Sequence, residues 1–138
     1  MEMARSHARS VLLVEDDKLD ADLIATRLMA CDLHIEVDVA STAEEGLRMV
    51  GKRRYDLILC DFHLPGMNGL SFLKMMEKIR ANMRIILMTG YPSEELEAKV
   101  IRHGASTYLS KAIDDQTFVS VIREALTFSR SPVPLSYH

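Results

Sequence analysis

Leu57-Ile58-Leu59-Cys60-Asp61-Phe62-His63-Leu64 is the stretch whose reading decides the fold. Four apolar residues in a row end in a carboxylate, and Pro65-Gly66-Met67-Asn68-Gly69 then turns the chain before the next helical pattern. An apolar run without polar alternation predicts a strand buried on both faces, as in the interior of a parallel sheet. An acid at the tip of such a strand does not fill a core, because burying an unpartnered carboxylate is costly. Asp61 is therefore the candidate reactive group.

Working outward, the same design recurs. Val11–Val14 is apolar throughout and runs into Glu15-Asp16-Asp17, and Ile85-Ile86-Leu87-Met88 runs into Thr89-Gly90. Ile35, Val37 and Val39 alternate with Glu36 and Asp38, which predicts a strand with one wet face. Thr107-Tyr108-Leu109-Ser110 is a short mixed strand leading into Lys111.

Helical spacing fills the intervals. Ala21, Ile24, Ala25 and Leu28 form one apolar stripe. Thr42 with Glu45 has the capping-box pattern and opens a helix with Ala43, Leu47 and Val50 inward, which Gly51 is placed to end. Phe72, Met76 and Ile79 mark a third helix. Pro92-Ser93-Glu94-Glu95 starts a fourth, with acids in the first turn to suit the helix dipole. Its core face is Leu96, Val100 and Ile101, His103 suits its end, and Gly104 stops it. The fifth begins near Asp115 and turns Phe118, Ile122, Ala125 and Leu126 inward.

Strands alternating with helices imply right-handed crossovers and a parallel sheet covered on both faces. Strands one, three and four are wholly apolar and belong in the centre, while the alternating second and the short fifth belong at the edges. The expected fold is α/β: a three-layer, doubly wound five-stranded parallel sheet in the flavodoxin-like order 2-1-3-4-5. The domain is expected over 10–128, with 1–9 a polar lead and 129–138, which carries Pro132 and Pro134, a loose tail.

Composition narrows the function. With 138 residues, 48% of them apolar, the chain makes one ordinary domain with a real core. A net charge of −3 supplies no electrostatic footprint for nucleic acid or an anionic membrane. Cys31 and Cys60 have no metal or disulfide spacing. No stretch has the length of a signal-peptide core or a membrane span. A soluble cytoplasmic protein is the economical reading, with its nine methionines as adaptable core filler.

In an open parallel sheet ligands sit outside the carboxyl ends of the strands where the strand order reverses, here between strands one and three. Glu15, Asp16 and Asp17, then Asp61, Thr89 and Lys111, all end strands on that edge. Clustered carboxylates raise one another's pKa unless a cation joins them. A hard divalent ion such as Mg²⁺ resolves that conflict and would neutralise an incoming phosphoryl group. Lys111 would add fixed positive charge and Thr89 a hydroxyl donor, leaving Asp61 to act as nucleophile and form an aspartyl phosphate.

From Ser10 to Phe128 the chain resembles the CheY-like receiver domain of two-component response regulators. Val14-Glu15-Asp16-Asp17 resembles that family's acidic cluster, Asp61 with Pro65, Gly66 and Gly69 its phosphoacceptor and turn, Thr89-Gly90 its hydroxyl-plus-small pair, and Lys111 its phosphate-contacting lysine. The resemblance implies metal binding by Glu15, Asp16, Asp61 and the backbone carbonyl of His63. It also gives Tyr108 the place of an aromatic that changes rotamer with Thr89, although an ordinary edge-strand aromatic reads the same.

It further implies a phosphohistidine donor on a sensor histidine kinase or histidine phosphotransfer protein. A downstream target protein would be read by the face of helix four, strand five and helix five, and a homodimer through the fourth and fifth helices is left open. The chain would be a phosphoacceptor rather than an enzyme. With no output segment after Phe128, the expectation is a stand-alone receiver.

Departures from the pattern sharpen the expectation. Ala112 follows Lys111 where the family usually has a proline in a cis bond. A cis bond to another residue costs about 2.5–4 kcal/mol, so a trans bond and an altered loop are expected. His63 and Tyr91, each two residues past a site residue, are bulky, which suggests a changed phosphate lifetime. Asp17 reads as the N-cap of the first helix rather than a ligand. Two rivals remain: a phosphorylation-independent pseudo-receiver, and a haloacid-dehalogenase-type phosphatase, which needs an Asp-x-Asp motif on its first strand that Glu15-Asp16-Asp17 lacks.

Overall fold

The computed structural model describes residues 8–79 and 83–127. Its strands are β1 (Arg9–Val14), β2 (Ile35–Ala40), β3 (Leu57–Asp61), β4 (Ile85–Thr89) and β5 (Thr107–Ser110). They alternate with helices α1 (Lys18–Met29), α2 (Ala43–Lys52), α3 (Gly69–Ile79), α4 (Glu94–Arg102) and α5 (Asp115–Thr127). All neighbouring strands pair in parallel, in the order β2-β1-β3-β4-β5. This is the expected doubly wound sheet with its reversal between β1 and β3.

The physical basis is the apolar content of the three central strands. Val11 to Val14, Leu57 to Cys60 and Ile86 to Met88 are at most 1% exposed. Removing one such side chain from water contributes about 1.5–3 kcal/mol. One face packs Leu12, Ile58, Phe72, Met76 and Leu87 under α2, α3 and α4, and the other packs Leu13, Leu59, Leu28, Phe118 and Ile122 under α1 and α5.

Helix ends follow local chemistry. Asp17 caps α1, its carboxylate accepting from the Leu19 amide at 3.0 Å. Thr42 accepts from the Glu45 amide at 3.0 Å, but the Glu45 carboxylate reaches the Ser41 amide at 2.8 Å, one residue short of a reciprocal box. Ser93 caps α4, and Gly104 follows its end at φ +103°, where a side chain would be strained.

Four expectations are corrected. β1 starts at Arg9, inside the expected lead, because the Arg9 amide pairs with the His34 carbonyl at 2.8 Å. Gly51 does not end α2, which continues through Lys52 and is capped at Arg53, so propensity yields there to one more backbone bond. Val39 is 45% exposed on β2, an edge strand, although the next residue, Ala40, is fully buried, and Ile79 is 46% exposed in the last turn of α3. The expected tail 129–138 lies outside the described residues.

Candidate functional site

The site is assembled by strand ends. Pairing of Val14 with Cys60 puts Glu15 beside Asp61, and pairing of Asp61 with Met88 sets Thr89 one residue beyond it. The Lys111 amide then donates to the Thr89 carbonyl at 2.7 Å, carrying the β4–β5 ladder to the sheet tip. Four separated segments thus meet on one edge, as expected.

Ligand oxygens of Glu15, Asp16 and Asp61 all lie within 4.8 Å of one another. Asp16 is exposed, whereas Glu15 is 2% and Asp61 6% exposed. Asp17 stands outside this group, in keeping with its capping role. The Lys111 ammonium lies 2.9 Å from Glu15 Oε1, 3.0 Å from Asp20 Oδ2 and 3.3 Å from Asp61 Oδ2. The other Glu15 oxygen, Oε2, accepts from the Asp17 amide at 3.2 Å. The His63 amide donates to Asp61 Oδ1 at 3.2 Å, so the turn after β3 orients the carboxylate.

Burial pushes the Glu15 carboxyl up to about 7; the Lys111 hydrogen bond opposes this, and the Asp61 charge reinforces it. Burial alone would lower the Lys111 pKa, but the hydrogen bonds to Glu15 and Asp20, and then the Asp61 and Glu15 charges, hold it above the ordinary lysine value. Burial, more than the neighbouring Asp61 charge, disfavours the Glu15 carboxylate, and a bound cation would offset both. An oxygen-only donor set with one exposed member suits a hard divalent cation that keeps several waters. Glu15, Asp16 and Asp61 fit Mg²⁺.

Thr89 is fully buried, and its hydroxyl accepts from the Tyr91 amide at 3.0 Å. Tyr108 is 7% exposed and points inward, its hydroxyl accepting from the Ser93 amide at 3.0 Å, at the N-cap of α4. The His63 ring meets the Tyr91 ring edge-on, with centroids 5.8 Å apart, so the turns after β3 and β4 touch. Peptide bonds are trans throughout the described residues, that of Ala112 included, and Lys111 still reaches Asp61.

Sequence reasoning missed Asp20. It lies in the first turn of α1 and serves Lys111 from outside the acidic triad. Its available signal was an acid five residues after Glu15 on a helix that starts at the site edge.

Comparison with known proteins bears directly on this geometry. Residues 11–123 match the family model described as the response regulator receiver domain. The chain belongs to that family. The receiver is similar to the response regulator UvrY of Escherichia coli, at 32% identity over 121 residues, covering 88% of this chain and 56% of the relative. It is also similar to the DNA-binding transcriptional regulator NtrC of Azospirillum brasilense, at 32% identity, covering 91% of this chain and 26% of the relative. The chain thus spans between about a quarter and about half the length of such relatives.

Among solved structures, the CheY-like receiver domain protein of Methanospirillum hungatei superposes with a TM-score of 0.80 at 31% identity, covering 89% of this chain and 97% of that one. The signal receiver domain of an HD domain-containing protein from Pseudomonas fluorescens also gives 0.80, at 30% identity, covering 89% and 98%. Receivers of this family are phosphoacceptors in two-component signalling and bind Mg²⁺ at an acidic cluster. No helix among the described residues is long and apolar enough to cross a membrane.

Proposed function

We propose that this receiver accepts a phosphoryl group on Asp61 from a phosphohistidine of a sensor histidine kinase or a histidine phosphotransfer protein, in a Mg²⁺-dependent reaction. The observation that carries the reading is the Lys111 ammonium 3.3 Å from Asp61 Oδ2 beside the Glu15–Asp16–Asp61 group. With His63 holding Oδ1, Oδ2 is the oxygen that faces Lys111 and the nucleophile of the reaction.

That oxygen attacks phosphorus, a P–O bond forms as the P–N bond breaks, and the donor imidazole leaves with the electron pair. Lys111 stabilises the charge gathered on the phosphoryl oxygens, and the Thr89 hydroxyl turns from the Tyr91 amide to donate to one of them. Glu15, Asp16, Asp61 and the His63 carbonyl would hold Mg²⁺, which when bound would supply neutralising charge and orientation. Positioning and electrostatics do most of the work in phosphoryl transfer.

The output follows from what Thr89 releases. The turn freed by Thr89 leads to Ser93, which holds the Tyr108 hydroxyl, so a shift of Thr89 is felt at the start of α4. A cavity of about 580 Å³ opens there, lined by Pro92, Ser93, Glu94, Tyr108, Ile113 and Thr117. Phosphorylation biases this α4–β5–α5 face between two states and a downstream protein reads it, or a second copy pairs through α4 and α5. Two buried free cysteines support a cytoplasmic setting.

Intact mass spectrometry with acetyl phosphate and Mg²⁺ tests the reading. The expected result is a single phosphoryl adduct, lost in Asp61→Asn and on chelation of the metal. No adduct would make the chain a pseudo-receiver, and sustained turnover of the donor a phosphatase.

A further inference from the structure

Lys111 is kept at Asp61 by more than the site acids themselves. Its ammonium has three carboxylate partners, Glu15, Asp20 and Asp61. Two of them belong to the acid group able to hold a cation. Glu15 already has both oxygens committed, Oε1 to Lys111 and Oε2 to the Asp17 amide. A cation taken up through Oε1 would share that oxygen with the ammonium and weaken the hold of Glu15 on Lys111. Asp20 is outside the triad, so its grip on Lys111 does not depend on how the triad is occupied.

A second set of contacts shows that α1 grips the whole connection from β5 to α5. Arg27 lies seven residues after Asp20, two turns along and on the same face of α1. Its Nη2 donates to the Ile113 carbonyl at 2.7 Å and its Nε to Asp115 Oδ1 at 2.9 Å. Its guanidinium lies 4.2 Å from the Phe118 ring centre. The turn from Lys111 to Asp115 is therefore pinned to α1 at both ends, by Asp20 at the ammonium and by Arg27 beyond it. α1 itself starts directly from the acidic cluster through the Asp17 cap.

We infer that Asp20 is a positioning residue of the phosphoacceptor site: it holds the Lys111 ammonium at Asp61 independently of the metal-binding acids, with Arg27 fixing the turn behind it. The inference rests on the phosphoacceptor reading of Asp61 and deepens it. Asp20 touches neither the reacting oxygen nor the metal group, and acts only through Lys111.

The test uses the full chain and the variants Asp20→Asn and Asp20→Glu, with two readouts. The first is the rate at which an amine-reactive acetylating reagent modifies Lys111 in metal-free protein, measured by peptide mass spectrometry. Asp20→Asn should raise it at least about fivefold, and Asp20→Glu should restore most of the protection. The second is phosphorylation of Asp61 by acetyl phosphate across a Mg²⁺ titration. The rate at saturating Mg²⁺ should fall about tenfold in Asp20→Asn, less than the roughly hundredfold that a full 1 Å misplacement can cost because Glu15 still holds Lys111, while the half-saturating Mg²⁺ concentration moves less than about threefold.

Unchanged Lys111 acetylation, or a defect lying wholly in the Mg²⁺ concentration needed, overturns the inference. A wild-type chain that gains no phosphoryl group overturns the phosphoacceptor reading instead, and the acetylation result still decides whether Asp20 holds Lys111.

Discussion

Gly69 offers the sharpest test of how the reactive turn is built. A Cβ at Gly69 would lie 2.7 Å from Phe62 Cα, 2.8 Å from the Asp61 carbonyl oxygen and 2.9 Å from Leu87 Cδ1. Carbon contacts are optimal at about 3.5–4.0 Å, so the two carbon contacts are short by roughly 0.6 Å or more. Two of the three atoms are backbone, which no rotamer change can move. Overpacking of this kind costs about 1–3 kcal/mol, and the rigid partners place Gly69→Ala near the upper end. Reduced freedom of the unfolded chain returns only about 0.4–1 kcal/mol. The net expectation is a destabilisation of roughly 2 kcal/mol.

Gly51 provides the control. It lies within α2 with nothing inside 4 Å of an added Cβ, so Gly51→Ala should stabilise by about 0.4–1 kcal/mol. Urea unfolding followed by far-ultraviolet circular dichroism reads both. With a slope of about 2 kcal/mol per molar, Gly69→Ala lowers the midpoint by about 1 M and Gly51→Ala raises it by about 0.2–0.5 M. The atoms that must yield carry Asp61, so Gly69→Ala should also slow phosphorylation. A Gly69→Ala midpoint at or above wild type would refute the close approach of α3 to the Asp61 turn.

Further outcomes follow from neighbouring groups. Tyr55 is buried with its hydroxyl donating to Asp38 at 2.7 Å, and burial, reinforced by Asp38, pushes its pKa from 10.0 up to about 12. A raised folded-state value means stability that is full below about pH 10 and lost as pH rises through about 12, at most about 3 kcal/mol. Alkaline denaturation should show that loss in wild type and not in Tyr55→Phe; identical profiles would contradict it. The edge-on contact of His63 with Tyr91 spans the turns beside Asp61. His63→Asn and Tyr91→Ala should each shift the lifetime of phosphorylated Asp61 by about threefold or more. Decay curves superimposable on wild type would remove these rings from control of the site.

Much of this protein could be read in advance because its determinants are local. Unbroken apolar runs ending in Asp61, Glu15 and Thr89 mark central strands, since only a sheet covered on both faces buries every side chain in a run. Asp17, Thr42 and Ser93 announce helix starts because a cap is a contact within three residues. Parallel order and one chemical edge follow from these elements, and so did the grouping of Glu15, Asp61, Thr89 and Lys111.

Tertiary structure decided whatever depends on contacts between distant segments. Val39 and Ile79 carry the right periodicity yet lie exposed, because burial needs a covering element that periodicity does not contain. Gly51 and Gly69 look alike as letters, and only the approach of the Asp61 turn separates a harmless glycine from a required one. Asp20 and Arg27 resemble ordinary helix-surface charges until folding brings Lys111 and Ile113, 91 and 86 residues away in the chain, against them. The sequence by itself determined which groups meet at the sheet edge. The packing of α1 against the β5–α5 turn decided what holds Lys111 among them, because a salt bridge between distant segments leaves no trace in local spacing.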